Sequence, residues 1–305
     1  MRQAVMTEPG KIVYREVPRP QPGPGEVLLR VRRIGVCGSD VHVYHGRHPY
    51  TTYPVVQGHE FSGTVEAVGE GVEDVKIGAK ATARPQVVCG KCKPCLRGDY
   101  HICDNLRVEG FQAPGVAQEY FVTSREKLVP LPDRFTHEMG AMVEPVSCGV
   151  HAVGRAGDVA GKNVVVMGAG PIGNLIGQVA LARGADVLIA DISDFRLEVA
   201  RACGLSRTFN PGKETLEVAV RRVFGAEGFD VGIEAVGVEE TMNALIESIE
   251  KGGRIVVVGV FPESPRINLG FVQDRELRLV GTLMYRHEDY EEAVRLIASG
   301  KIRTQ

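Results

Sequence analysis

The sequence has no surplus of charge of either sign. Its formal net charge is −2 at pH 7, so it makes no electrostatic case for a nucleic-acid or anionic-membrane partner. It has no long apolar run: nothing approaches the roughly 20 residues of a membrane-spanning helix. Its start, MRQAVMTEPGKIVYREV, carries no apolar signal-peptide core, and a cytoplasmic location is the expectation. Internal repeats and low-complexity tracts are missing too. What remains is ordinary: 305 residues, 44% hydrophobic and 24% charged, as in a soluble globular protein with two domains.

The two parts of the chain are patterned differently. Up to about residue 150, short β-like runs are separated by Gly and Pro, as in EVLLRVRRIGVC (26–37) and GTVEAVG (63–69). No clear helix-length amphipathic stretch stands out there, which predicts a compact, mostly β domain with long functional loops. After Gly161, apolar strands alternate with amphipathic helices. The strands are NVVVMG (163–168), DVLIAD (186–191), RTFN (207–210), FDVGIEAVG (229–237), GRIVVVG (253–259) and LRLVGT (277–282). The helices lie near 171–183, 194–203, 215–224 and 239–250, with a further one at 287–302. Such alternation predicts an α/β fold, a doubly wound parallel sheet of the Rossmann type.

VVVMGAGPIG places Gly168, Gly170 and Gly173 directly after a strand and at the start of a helix. Glycines there permit a tight turn and close approach of the backbone to a pyrophosphate, which the helix N-terminus then faces. Pro171 suits the first helical position. With Ile172 these glycines are the candidate cofactor-binding turn. Asp191 closes the second strand about 20 residues on, placed to bind ribose hydroxyls and repel a 2′-phosphate, so NAD is expected over NADP. Arg196 reads equally as an adenosine contact or a solvated helix residue.

Sulfur is used in two ways. In a reducing cytosol, close thiol clusters read as metal sites before disulfides. Cys89, Cys92, Cys95 and Cys103 follow C-x2-C-x2-C-x7-C, with Gly90, Pro94 and Gly98 letting the loop curl. Four thiolates close a tetrahedral zinc, which makes it a structural zinc lobe at 85–105. Cys37, Cys148 and Cys203 are dispersed.

GVCGSDVHVYHG (35–46) and GHEFSGTVEAVGEGV (58–72) bring together a thiol, a hydroxyl, imidazoles and a carboxylate. A lone His59 would more often be a packed or surface histidine. The pattern GHExxGxxxxxGxxV, complete from Gly58 to Val72, changes that reading. With the C-G-S-D segment, the four-cysteine lobe and EPVS (144–147), the chain resembles the zinc-containing medium-chain alcohol dehydrogenases over almost its whole length. It looks most like the branch of sorbitol, L-threonine and bacterial polyol or sugar-acid dehydrogenases.

The resemblance implies a GroES-like catalytic domain (1–152), an NAD-binding domain (153–286) and a segment (287–305) that begins a return to the first domain, with the C-terminal tail missing. It implies two zincs per chain, one catalytic and one structural, NAD, and a homo-oligomer, a dimer or a tetramer. It implies Cys37 and His59 as catalytic zinc ligands, with either Glu60 or Glu144 completing the site and the other assisting. Zinc with three protein ligands keeps a position for a substrate oxygen and lowers an alcohol's pKa. Ser39 matches the hydroxyl that takes the alcohol proton, and His42 an outlet to solvent. Read alone, Ser39 caps a turn and His42 is an exposed loop residue. Cys148 reads as a buried small residue; His45 and His48 read as solvated or cleft residues.

The expected partner is a small molecule, a polyol, sugar or sugar acid oxidised at a secondary alcohol, with neither nucleic acid nor membrane involved. The threonine branch carries a histidine where Gln86 stands, and the animal sorbitol enzymes a tyrosine where Val43 precedes Tyr44. Arg47 reads equally as a contact to substrate carboxylate or hydroxyls and as a surface residue. The alternatives are an L-threonine or 2,3-butanediol dehydrogenase and, more distantly, a non-catalytic nucleotide-binding protein on the same fold.

Overall fold

A computed structural model describes residues 1–304. Gln305, the last residue of the expected 287–305 segment, lies outside the described residues. The chain divides into two compact units. One holds Met1–Glu144 and Arg286–Ala298, the other Pro145–Tyr285 and Ser299–Arg303.

The first unit is mostly β. A hairpin, β1 (Arg2–Glu8) and β2 (Lys11–Glu16), precedes β3 (Glu26–Ile34), the short helix α1 (Gly38–Tyr44) and β4 (Phe61–Val68). Next come β5 (Lys80–Ala83), β6 (Gln86–Val87), the single-turn α2 (Lys93–Leu96), β7 (Arg107–Val108), β8 (Tyr120–Ser124), β9 (Leu128–Pro130) and α3 (His137–Ala141). An antiparallel five-stranded sheet runs in the order β8-β3-β4-β5-β9. Val27, Leu29, Phe61, Val65, Phe121 and Leu128 form its core, alternating inward along their strands. β6 and β7 pair separately and frame the cysteine lobe.

α4 (Val143–Ala156) opens the second unit's chain. This 14-residue helix corrects the expectation that the early part of the chain lacks a helix of that length. Pro145, Gly149 and Gly154 all weaken intrinsic helix propensity in this segment. Tertiary packing overrides that: a Cβ on Gly149 would come within 3.2 Å of the Leu175 backbone, so the glycine lets two helices approach closely.

β10 (Asn163–Met167), α5 (Pro171–Ala182), β11 (Asp186–Ala190), α6 (Asp194–Ala202), β12 (Thr208–Phe209), α7 (Leu216–Phe224), β13 (Val231–Glu234), α8 (Glu239–Ser248), β14 (Arg254–Val257), α9 (Leu269–Asp274) and β15 (Arg278–Gly281) follow. The parallel sheet runs β12-β11-β10-β13-β14-β15, the doubly wound order of the expected Rossmann fold. Its central strands are buried on both faces, which is why they read as unbroken apolar runs rather than alternating ones. The strand order reverses between β11 and β13 on either side of β10, and a ligand crevice forms at such a switch point.

α10 (His287–Ala298) clusters with the first unit. The His287 N–H donates to the Tyr100 hydroxyl at 2.6 Å, and Arg286 pairs with Asp99, both partners lying on the cysteine lobe. Among the described residues no helix is long and apolar enough to cross a membrane.

Candidate metal centres and cofactor site

Cys37 is the N-cap of α1, and its own N–H donates to Asp40 Oδ2 at 2.9 Å. His59 and Glu60 immediately precede β4, and both are buried. The ligand atoms of Cys37, His59 and Glu60 lie within 4.8 Å of one another. Glu144, buried in the first turn of α4, is not part of that set, yet its charge reaches Cys37.

The electrostatics of this cluster call for a cation. Burial, opposed by the Ser39 N–H and reinforced by the charges of Glu60, Glu144 and Asp40, pushes the Cys37 thiol up to about 12. Burial, then the charge of Asp40, raises Glu60 to about 7, against a hydrogen bond from Cys37. Burial also holds His59 below its ordinary value, which keeps its ring neutral as a metal ligand must be. The His59 Nδ1 and Asp40 Oδ1 are both buried without hydrogen-bond partners and stand 3.8 Å apart. A thiol, an imidazole and a carboxylate converging in an enclosed space fit zinc.

Local packing fixes this geometry through glycines. A Cβ on Gly35 would sit 2.1 Å from Glu60 Oε2, so only glycine leaves that carboxylate its place. Gly58 has φ +90°, and a Cβ on Gly115 would lie 2.3 Å from its carbonyl oxygen. The 57–58 and 110–115 loops thus meet backbone to backbone beside His59. Phe111 packs between two imidazoles, His59 at 4.9 Å and His48 stacked at 4.7 Å.

Ser39 is half-buried in the first turn of α1, and His42 is exposed in its last turn. His45 and Arg47 are exposed, while His48 is half-buried with Nδ1 2.8 Å from the Thr51 hydroxyl. Cys148 is half-buried, not buried as expected. Asp40, Gly35 and Phe111 carry no role in the sequence reading. Asp40 stood inside the C-G-S-D motif and was the one with a visible signal; a buried carboxylate beside a ligand histidine orients its ring.

The four lobe cysteines also converge, with their sulfurs all within 4.8 Å. Cys92 Sγ and Cys103 Sγ are 3.8 Å apart, the edge of a tetrahedron whose metal–sulfur bonds are about 2.3 Å. The backbone N–H groups of Lys91 and Cys92 lower Cys89 to about 6, while partial burial and the neighbouring thiols raise Cys95 to about 12. All seven cysteines are free of disulfides. The lobe's donor set fits a closed zinc site.

The dinucleotide turn is equally specific. Gly168 adopts φ +102°, and a Cβ on Gly173 would lie 1.9 Å from the Gly168 carbonyl oxygen. Gly170 differs: it caps α5 with φ −62°, and a Cβ there would meet nothing within 4 Å. The chain itself does not demand glycine at 170, whereas a phosphate lying against the turn would. Ile172 is half-buried beside it. Asp191 is buried and accepts N–H groups from Ala169 and Ser193, both at 2.9 Å. Arg196 Nη1 is 3.4 Å from its Oδ2.

Residues 23–133 match the alcohol dehydrogenase GroES-like domain and residues 171–299 the zinc-binding dehydrogenase domain. The chain is 38% identical, over 92% of its length and 82% of the relative's, to 2-dehydro-3-deoxy-L-galactonate 5-dehydrogenase of Pseudoalteromonas atlantica. It is 35% identical to L-threonine 3-dehydrogenase of Mesorhizobium japonicum, over 95% of this chain and 85% of that one. A solved structure of a protein assigned as a zinc-binding dehydrogenase from Sinorhizobium meliloti 1021, bound to NADP, is similar with a TM-score of 0.92 at 33% identity, covering 99% of this chain and 89% of that one.

Two outcomes test the first metal site. Ligation requires Cys37 and Glu60 to lose protons that the metal-free site holds at neutral pH. Zinc uptake is therefore expected to release protons and to weaken as pH falls below about 7, where Glu60 protonates. Calorimetry in buffers of different ionisation enthalpy measures this, and buffer-independent heats would contradict it. Gly35→Ala, by displacing the Glu60 carboxylate, is expected to weaken zinc binding about tenfold or more. Equal zinc retention by variant and parent on dialysis against a chelator would refute that.

Proposed function

Because the chain belongs to the zinc-binding alcohol dehydrogenase family, oxidoreductases that act on CH–OH groups with zinc and a nicotinamide cofactor, we propose that it oxidises a secondary alcohol of a polyol, sugar or sugar acid to a ketone with NAD. The observation that carries this reading is the convergence of Cys37, His59 and Glu60 within 4.8 Å in a chain that also holds the complete dinucleotide turn. The similarity to a sugar-acid dehydrogenase supports the substrate class.

In this reading Cys37, His59 and Glu60 hold the catalytic zinc, and the four lobe cysteines hold a second, structural one. The catalytic zinc, when bound, supplies Lewis acidity toward an alcohol oxygen. Asp40, 3.8 Å from His59 Nδ1, places a negative charge beside the ring. Glu144 supplies a further negative charge near Cys37 and is in reserve as an alternative ligand. Ser39 accepts the hydroxyl proton. His42, one helical turn further along α1 and exposed, passes it to solvent. A nicotinamide, when bound, would supply the hydride acceptor, so that an alcohol losing its hydroxyl proton and a hydride from the same carbon would become a ketone. Gly168, Gly170, Ile172 and Gly173 receive the pyrophosphate, and Asp191 the adenosine ribose. Arg196, paired with Asp191, lies beside that ribose.

A second reading, L-threonine or 2,3-butanediol oxidation, is favoured by the 35% identity to an L-threonine 3-dehydrogenase. A panel of polyols, sugar acids, L-threonine and 2,3-butanediol, followed by NADH absorbance, separates the two. Turnover of a polyol or sugar acid is expected, with Cys37→Ser inactive yet still binding NADH; exclusive turnover of threonine would overturn the substrate class, and an active Cys37→Ser the site. Asp191→Ala is expected to weaken NAD about tenfold while sparing NADP. An unchanged NAD-to-NADP ratio would remove Asp191 from the ribose.

A further inference from the structure

Glu234 ends β13 with no exposed surface. Its Oε1 accepts three donors: the N–H groups of Val236 and Gly237, each at 2.9 Å, and the Thr241 hydroxyl at 2.8 Å. Its Oε2 is buried without a hydrogen-bond partner. A carboxylate so enclosed is costly unless hydrogen bonds compensate it, and here three donors on one oxygen do so.

Its surroundings show what it organises. The loop after β13 and the loop after β14 meet around it, backbone to backbone. A Cβ on Gly259 would lie 2.4 Å from Glu234 Oε2 and 2.3 Å from the Gly237 nitrogen. A Cβ on Gly237, at φ +85°, would lie 2.5 Å from the Val260 carbonyl oxygen. The Val258 and Gly259 N–H groups donate to the Glu234 carbonyl at 2.9 and 3.0 Å.

The same loop forms one wall of the dinucleotide turn. A Cβ on Gly168 would meet the Ala235 carbonyl oxygen at 2.9 Å and Val236 Cγ2 at 3.0 Å. Val236, Val238 and Val260 stand 46%, 37% and 88% exposed at this edge, although they are apolar. β13 lies on the opposite side of β10 from β11, which carries the ribose-facing Asp191. A dinucleotide spanning the switch point at β10 therefore lays its adenosine half toward β11 and its other half toward β13 and β14.

We propose that Glu234 is a positioning residue for the nicotinamide half of the dinucleotide: by gathering three donors on one oxygen it holds the 235–238 and 258–260 loops as an apolar ledge against the Gly168 turn. This rests on dinucleotide binding by the second unit and is independent of the alcohol substrate. Glu234→Asp withdraws the carboxylate from its three donors while keeping its charge. Thr241→Val removes a single donor and leaves the carboxylate in place.

The test measures NADH binding by fluorescence titration and AMP binding by calorimetry on the full chain. AMP fills only the adenosine half. Glu234→Asp is expected to weaken NADH about tenfold and to leave AMP within about twofold. Thr241→Val is expected to shift NADH in the same direction by about two- to threefold, and it carries the test if Glu234→Asp does not fold. Equal weakening of NADH and AMP would mean a general structural role and overturn the proposal, as would unchanged NADH binding in folded variants. A parent chain that binds NADH but oxidises no alcohol would overturn the proposed reaction, while the comparison of NADH with AMP would still decide the role of Glu234.

Discussion

The concentration of proton-binding and anionic groups around Cys37 sets the terms for the first unit. Glu60, Asp40 and Glu144 are buried near a thiol and an imidazole, and Cys37 and Glu60 are both held far above their ordinary pKa values, first by burial and then by the neighbouring carboxylates. Burying several carboxyl groups together is unfavourable unless they are protonated or a cation compensates them. A divalent ion would do the second and would draw on the same donors. The surrounding structure serves that arrangement: α1 places Cys37 at its cap, Gly35 clears space for a carboxylate, and the Gly58 and Gly115 contact brings His59 into range.

The second unit obeys a different constraint, the reversal of strand order at β10. Parallel strands buried on both faces leave their loops at one edge to do chemistry. There the chain concentrates residues that would be faults elsewhere: glycines at positive φ, a buried Asp191, a buried Glu234 and exposed valines. The two carboxylates there take backbone N–H groups as their main donors, from Ala169 and Ser193 for Asp191 and from Val236 and Gly237 for Glu234. The cysteine lobe follows the same economy on a smaller scale, tying its last turn to α10 through Asp99 and Tyr100.

Much of this was legible in the sequence. The central parallel strands announced themselves as apolar runs because burial on both faces removes polar alternation. The lobe and the Gly168 turn were readable because their ligand geometries tie chemistry to local spacing, so that neighbours in sequence are neighbours in space. α4 was not readable, since Pro145, Gly149 and Gly154 weaken helix propensity and only close packing at Gly149 compensates. Asp40 was seen inside a motif without a role, because its partner is His59, a residue distant in sequence.

The sequence by itself therefore determined the inventory: the ligand types, the thiol lobe, the glycine turn with Asp191, and the fold that carries them. Only the tertiary structure decided which carboxylate stands with Cys37 and His59. Glu60 enters that set and Glu144 does not, because Gly35 opens room for one carboxylate while the start of α4 holds the other at the distance of a charge. It alone decided, too, that Glu234 joins two loops. That contact depends on glycines separated along the chain but adjacent at the sheet's edge, and spacing in sequence carries no record of such an approach.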